Sequence, residues 1–113
     1  MHSVTVDRSA AVAVVVGRGE LDAYSAPDLE AAFAKVGAEA HVVVDLDSVS
    51  FLDSTALGAV VRALRDVDER GGQALVVLPS GPARRIFEIT ALDGALPVAE
   101  SRAQALRSLT TEA

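Results

Sequence analysis

The residues able to do chemistry gather in one stretch, VVVDLDSVSFLDSTALGAVVRAL, where Asp45 and Asp47 close an apolar run and Asp53 stands before two adjacent hydroxyls, Ser54 and Thr55. A carboxylate here could attack phosphorus with a divalent cation screening the charge, or accept a phosphoryl group as a mark. A hydroxyl could instead cap a helix or carry a phosphate itself. Other chemistries lack their parts. The chain has no cysteine, which removes disulfides, thiol nucleophiles and thiolate metal ligands together and fits a reducing, cytoplasmic setting. His2 and His41 alone are too few for a histidine zinc site or a Ser-His-Asp relay.

A net charge of -6 and a single lysine, Lys35, argue against a phosphate-tracking nucleic-acid binder. No membrane partner is expected either. The most apolar early run, residues 10–17, is too short to span a bilayer, and Asp7 precedes it where a signal peptide carries basic residues. Nothing in the motifs calls for a cofactor. With 113 residues, half of them apolar, the chain reads as one domain, 1–113, with one core.

Residues 4–6 and 11–16 read as a β-hairpin, with Asp7-Arg8-Ser9 as its polar turn. In SAPDLEAAFAKVG, Ser25 begins a helix with an S-x-x-D box to Asp28, Pro27 sits in the first turn, and Leu29, Ala32, Phe33 and Val36 share a face. Gly37 stops it. The unbroken Val42-Val43-Val44 run suits a strand covered on both faces, at the centre of a parallel sheet. From Ser54 the period becomes helical, with Leu57, Val60, Val61, Leu64 and Val67 in one stripe and Arg62, Arg65, Asp66 and Glu69 opposite, ending at Gly71-Gly72. QALVVLP is a further strand, and residues 80–92 read as a helix. Residues 95–98 can form a short strand, and Ser101 with Gln104 makes a capping box before a last helix bearing Leu106 and Leu109. The expected fold is therefore α/β: a mixed sheet with an N-terminal hairpin, parallel central strands and about four helices.

In such a sheet, sites gather past the carboxyl ends of parallel strands, and the loop expected over residues 45–54 lies there. Asp45-x-Asp47 resembles the opening motif of haloacid-dehalogenase-like phosphatases. That chemistry also needs a later lysine and a further acidic pair for its metal, and no lysine follows Lys35. A receiver domain phosphorylated on Asp45 or Asp47 fits the length. It pairs that aspartate with acidic residues after the first strand and a lysine after the last, where this chain has a hairpin turn and Val98-Ala99-Glu100. The third reading places Ser54 in the first turn of a helix, among unpaired N–H groups and the positive end of the dipole. Asp53 or Ser54 can cap there, and the same electrostatics tolerate a phosphoryl group.

The blocks GELDAYSAPDLEAAF, VVVDLDSVSFLDSTALGAVVRAL and LVVLPSGPARRIFEITALDGALPVAES, in that order, resemble the STAS-domain proteins, specifically the single-domain anti-anti-sigma factors, also called anti-sigma factor antagonists. Asp45, Leu46, Val49, Phe51, Asp53, Ser54, Leu57 and Gly58 fall on the pattern. The resemblance implies a non-enzymatic protein that binds an anti-sigma factor, often a serine protein kinase, and so frees a sigma factor. Phosphorylation of Ser54 would end the binding and a serine phosphatase would restore it. Asp22, Asp53, Ser54, Thr55, Leu57 and Gly58 would form the partner surface, with Thr55 the lesser acceptor. Ala56 departs from the family's usual glycine, and its methyl group bears on how closely a partner approaches. Some STAS domains are unphosphorylated interaction modules, the alternative for this chain. Phe51, among apolar neighbours, is expected in the core.

Overall fold

The computed structural model describes residues 1–9, 12–36, 41–78, 84, 85, 87, 88 and 98–110. Strand β1 (His2–Ser9) pairs antiparallel with β2 (Val12–Leu21), and β2, β3 (His41–Leu52), β4 (Gln73–Val77) and β5 (Val98–Ala99) follow in parallel, in sheet order β1-β2-β3-β4-β5. The opening hairpin thus makes the sheet mixed, as the sequence implied. Asp7-Arg8-Ser9 is not its turn: these residues pair with Val14, Ala13 and Val12 and so belong to the ladder. Polar residues continue the ladder there because β1 is an edge strand, where Val4 and Val6 pack inward and their neighbours face water.

The valine run is buried on both sides of the sheet. Val42 and Val44 join Ala13, Val15 and Val76 on the face covered by helices α1 (Ala26–Val36) and α2 (Ser54–Glu69). Val43 joins Val12, Val14, Val16, Leu75 and Val77 on the other face, under Ala105 and Leu109 of helix α3 (Arg102–Thr110). Each such valine or leucine contributes about 1.5–3 kcal/mol by leaving water. The helical stripe of α2 behaves as its spacing requires: Leu57, Val60, Leu64 and Val67 are buried and Val61 is partly so. Gly71 closes that helix with φ 84, and the Gly72 N–H returns to the Val67 carbonyl at 3.0 Å.

Three helices stand among the described residues, where about four were expected. Of the one expected over 80–92, only Arg84, Arg85, Phe87 and Glu88 are described; they are helical, and Phe87 is buried with Val42, Val44 and Val76 on the face covered by α1 and α2. Gly37 and residues 95–97 lie outside the described residues.

Residues 45–54, expected as a loop, are strand as far as Leu52. Polar residues interrupt the apolar run there, but β2 continues alongside to Leu21 and supplies the hydrogen-bonding partner. Two register shifts, one after Val16 and one after Gly19 (φ 78), bring Leu21 opposite Leu52, and both are buried. β4 pairs with β3 only as far as Asp45. The ends of β2 and β3 therefore project beyond β4 as a two-stranded extension that delivers the start of α2 beside the turn after Leu21.

Candidate functional site

The two-stranded extension ends in a double tie. Asp53 N–H donates to the Leu21 carbonyl at 3.1 Å, and the Asp53 side chain then faces two amides belonging to different elements. Its Oδ1 accepts from Ala56 N–H at 2.9 Å, the bond of an N-cap, with the extended backbone (φ -95, ψ 176) that a cap requires. Its Oδ2 accepts from Ala23 N–H at 3.1 Å, in the turn between β2 and α1. One carboxylate thus caps α2 and fastens the neighbouring turn to it.

Because Asp53 caps, Ser54 is the first residue of α2 and its hydroxyl is free of that duty. Ser54 and Thr55 are both exposed, and neither amide N–H has a hydrogen-bond partner among the described residues. The arrangement offers an accessible nucleophilic hydroxyl, two vacant donors and the positive end of a 16-residue helix.

Asp22 is partly buried and organises the turn. Its Oδ1 accepts from Ser25 N–H at 3.1 Å and Ser25 Oγ at 3.3 Å, while Ser25 Oγ accepts from Asp22 N–H at 2.7 Å. The S-x-x-D box expected from Ser25 to Asp28 is consequently not formed. The fully buried Ser25 hydroxyl is occupied by Asp22, and Asp28 meets the His2 ring nitrogen at 2.5 Å. The box at the last helix does form its first half, with Gln104 N–H donating to Ser101 Oγ at 3.1 Å; the Gln104 side chain accepts from Glu100 N–H at 2.6 Å.

The expected site residues do not all lie at the surface. Asp22, Asp53, Ser54 and Thr55 are brought together, and Gly58 lies partly exposed one helical turn beyond Ser54. Leu57 is 2% exposed and packs in the core, so it supports the surface without presenting itself to a partner. Phe51, expected in the core, is 52% exposed. Strand alternation explains this: with Leu52 turned into the core, Phe51 points to the opposite face, beyond the part covered by α3.

Tyr24 is the residue that sequence reasoning missed. It sits 86% exposed at the tip of the Asp22–Ser25 turn, its ring edge-on to His2 with centroids 6.2 Å apart. Its only signal was an aromatic residue in a short connection between polar turn residues, where no core is available to it.

Asp45 is 8% exposed. Its Oδ1 accepts from Asp47 N–H at 3.0 Å and its Oδ2 from Arg102 Nε at 3.0 Å, so both oxygens are engaged within the fold. That is the setting of a structural ion pair, unlike an open nucleophile or phosphoacceptor. Among the described residues no group of three or more His, Asp or Glu side chains is placed to hold a metal ion, and no helix is long and apolar enough to cross a membrane.

A family model described as the STAS domain matches residues 3–105. The chain is 33% identical over 84 residues to the anti-sigma-B factor antagonist of Staphylococcus aureus (strain NCTC 8325 / PS 47), covering 73% of this chain and 78% of that protein. Among solved structures, an anti-sigma factor antagonist from Mycobacterium paratuberculosis matches with a TM-score of 0.87 and 28% identity, over 97% of this chain and 95% of that one. The Bacillus cell fate determinant SpoIIAA in its phosphorylated form matches with a TM-score of 0.72 and 21% identity, over 94% and 98%, a likeness of fold.

Proposed function

The chain belongs to the STAS-domain family, and from that membership we propose that it is a cytoplasmic anti-sigma factor antagonist switched at Ser54. In its unphosphorylated form it binds an anti-sigma factor, itself a serine protein kinase, and so frees a sigma factor for transcription. The kinase transfers the γ-phosphoryl group of ATP to Ser54 Oγ, ADP leaves, and the hydroxyl proton passes to a base on the kinase. The modified protein no longer competes, and a serine phosphatase restores it by hydrolysis. Catalysis belongs to the partners.

The observation that carries this reading is the division of labour at the start of α2. Asp53 supplies the cap, so Ser54 can be modified without removing a bond that holds the helix. A phosphate there also meets the vacant Ser54 and Thr55 amides and the helix dipole, which offset part of its charge. Its added charge of about -2 falls beside Asp53 and near Asp22, and a docked partner would have to desolvate or repel it. The names of the relatives support the antagonist role, and the phosphorylated form of a protein sharing the fold supports a phosphate switch.

The test is incubation with the cognate anti-sigma kinase and ATP, site mapping by mass spectrometry, and a binding assay on both forms. Modification at Ser54 with loss of binding is expected. Modification confined to Thr55, or equal binding by the two forms, would overturn the switch.

A further inference from the structure

We infer that Asp53 is the positioning residue of this surface, and that a phosphate on Ser54 releases its bond to Ala23 and so frees the turn that carries Tyr24. This rests on the phosphorylation proposed above and adds how the mark is read.

The two bonds of Asp53 are unequal. The one to Ala56 N–H is partly buried and belongs to the helix, whereas the one to Ala23 N–H is exposed and competes with water. A phosphate on the next residue repels the carboxylate and seeks the same kind of donor. The carboxylate keeps its better bond, so the exposed one to Ala23 gives way. The turn does not unfold when it is released, because it is closed by its own bonds: Ser25 Oγ and N–H to Asp22, and Ala26 N–H to the Asp22 carbonyl at 2.9 Å. Leu21 and Ser25 stay buried at its ends, so the freedom gained is confined to its exposed tip, Ala23 and Tyr24.

The unmodified surface is therefore a single rigid edge, in which the acceptor hydroxyl and an exposed aromatic are held in register through one carboxylate. Exposed tyrosines held in place contribute disproportionately to protein interfaces, since little side-chain entropy remains to be lost on docking. Phosphorylation acts on the partner twice, by charge at Ser54 and by loosening Tyr24.

The sequence provides its own probe, because Tyr24 is the only tyrosine and there is no tryptophan, so intrinsic fluorescence reports this turn alone. Phosphoserine is installed at position 54 during translation, which makes the measurement independent of any kinase. Relative to the unmodified chain, Tyr24 anisotropy should fall and the Ala23 amide should exchange with solvent about fivefold faster or more, the factor corresponding to one capping-type hydrogen bond. Exchange at Ala56 should stay slow. Asp53→Asn, which caps as well as aspartate but has a single acceptor oxygen, should give the same two changes without phosphate, and Ser54→Ala should give neither. Unchanged anisotropy and Ala23 exchange in the phosphoserine form would overturn the relay while leaving switching by charge alone intact. Failure of a kinase to modify Ser54 would instead strike at the proposed function.

Discussion

Arg102 Nε donates to Asp45 Oδ2 at 3.0 Å across 57 positions of sequence, and the same guanidinium reaches Asp7 Oδ2 at 3.4 Å. One side chain at the start of α3 thereby clips the helix to β3 and β1. The two carboxylates are not equivalent, since the Asp45 side chain is 11% exposed and that of Asp7 52%. Removing Arg102 leaves a buried carboxylate without its cation, whereas removing the Asp7 charge leaves a group that water already serves. Arg102→Ala should lower stability by about 1–3 kcal/mol, and Asp7→Asn by no more than about 0.5 kcal/mol. Urea denaturation of the two variants checks this, and equal losses would contradict the ranking.

A similar contrast holds between the neighbours Asp53 and Ser54. Asp53→Ala removes the cap of α2 and the tie to Ala23 together, so a loss of about 1–2 kcal/mol is expected. The Ser54 hydroxyl takes no part in the cap, and Ser54→Ala should change stability by less than about 0.5 kcal/mol. Ser54→Ala should also retain the anti-sigma factor, while Ser54→Glu weakens binding to the extent that one carboxylate imitates phosphate. Thermal melts paired with a binding assay separate the two effects; a Ser54→Ala variant as unstable as Asp53→Ala would put the hydroxyl back in the cap.

What the sequence revealed follows the range of the interactions concerned. The valine run 42–44, the stripe from Leu57 to Val67 and the Ser101 cap are local patterns, and all three appear as read. The end of β3 was obscure because Asp45, Asp47, Ser48 and Ser50 break the apolar pattern, and the strand persists only because β2 lies beside it. Ser25 looked like a box cap until Asp22 claimed its hydroxyl. Asp45 stood as an alternative phosphoacceptor because Arg102, which engages it, is distant in sequence. The family pattern pointed to Ser54, but it did not reveal that Asp53 joins two elements through two oxygens.

Phe51 and Leu52 are adjacent and face opposite ways, at 52% and 4% exposure. Leu52→Ala should cost about 2–5 kcal/mol, because it opens a cavity between β3 and the helices. Phe51→Ala should cost less than about 1 kcal/mol, since a surface ring loses little packing. If the surface around Ser54 is the docking site, Phe51→Ala should nevertheless slow or weaken capture of the anti-sigma factor, because exposed aromatics are common interface anchors. Denaturation and titration against the anti-sigma factor give both numbers. A stability loss at Phe51 comparable to that at Leu52 would return this ring to the core.

Gly58 offers a case in which stability and binding should move in opposite directions. Glycine inside a helix is less favourable than alanine by about 1 kcal/mol, and a Cβ at this position would meet only Arg62 Nη1, at 3.3 Å. That atom ends a flexible, exposed side chain whose other contact is Glu30 at 3.6 Å, so it can give way. Gly58→Ala should therefore stabilise the fold by about 0.5–1 kcal/mol. Gly58 also lies on the Ser54 side of α2, one turn on, where a methyl group would stand between the helix backbone and anything docked over Ser54. Affinity for the anti-sigma factor should fall as the melting temperature rises. A variant that is more stable and binds equally well would remove Gly58 from the partner surface and confine that surface to the Asp53 end of the helix.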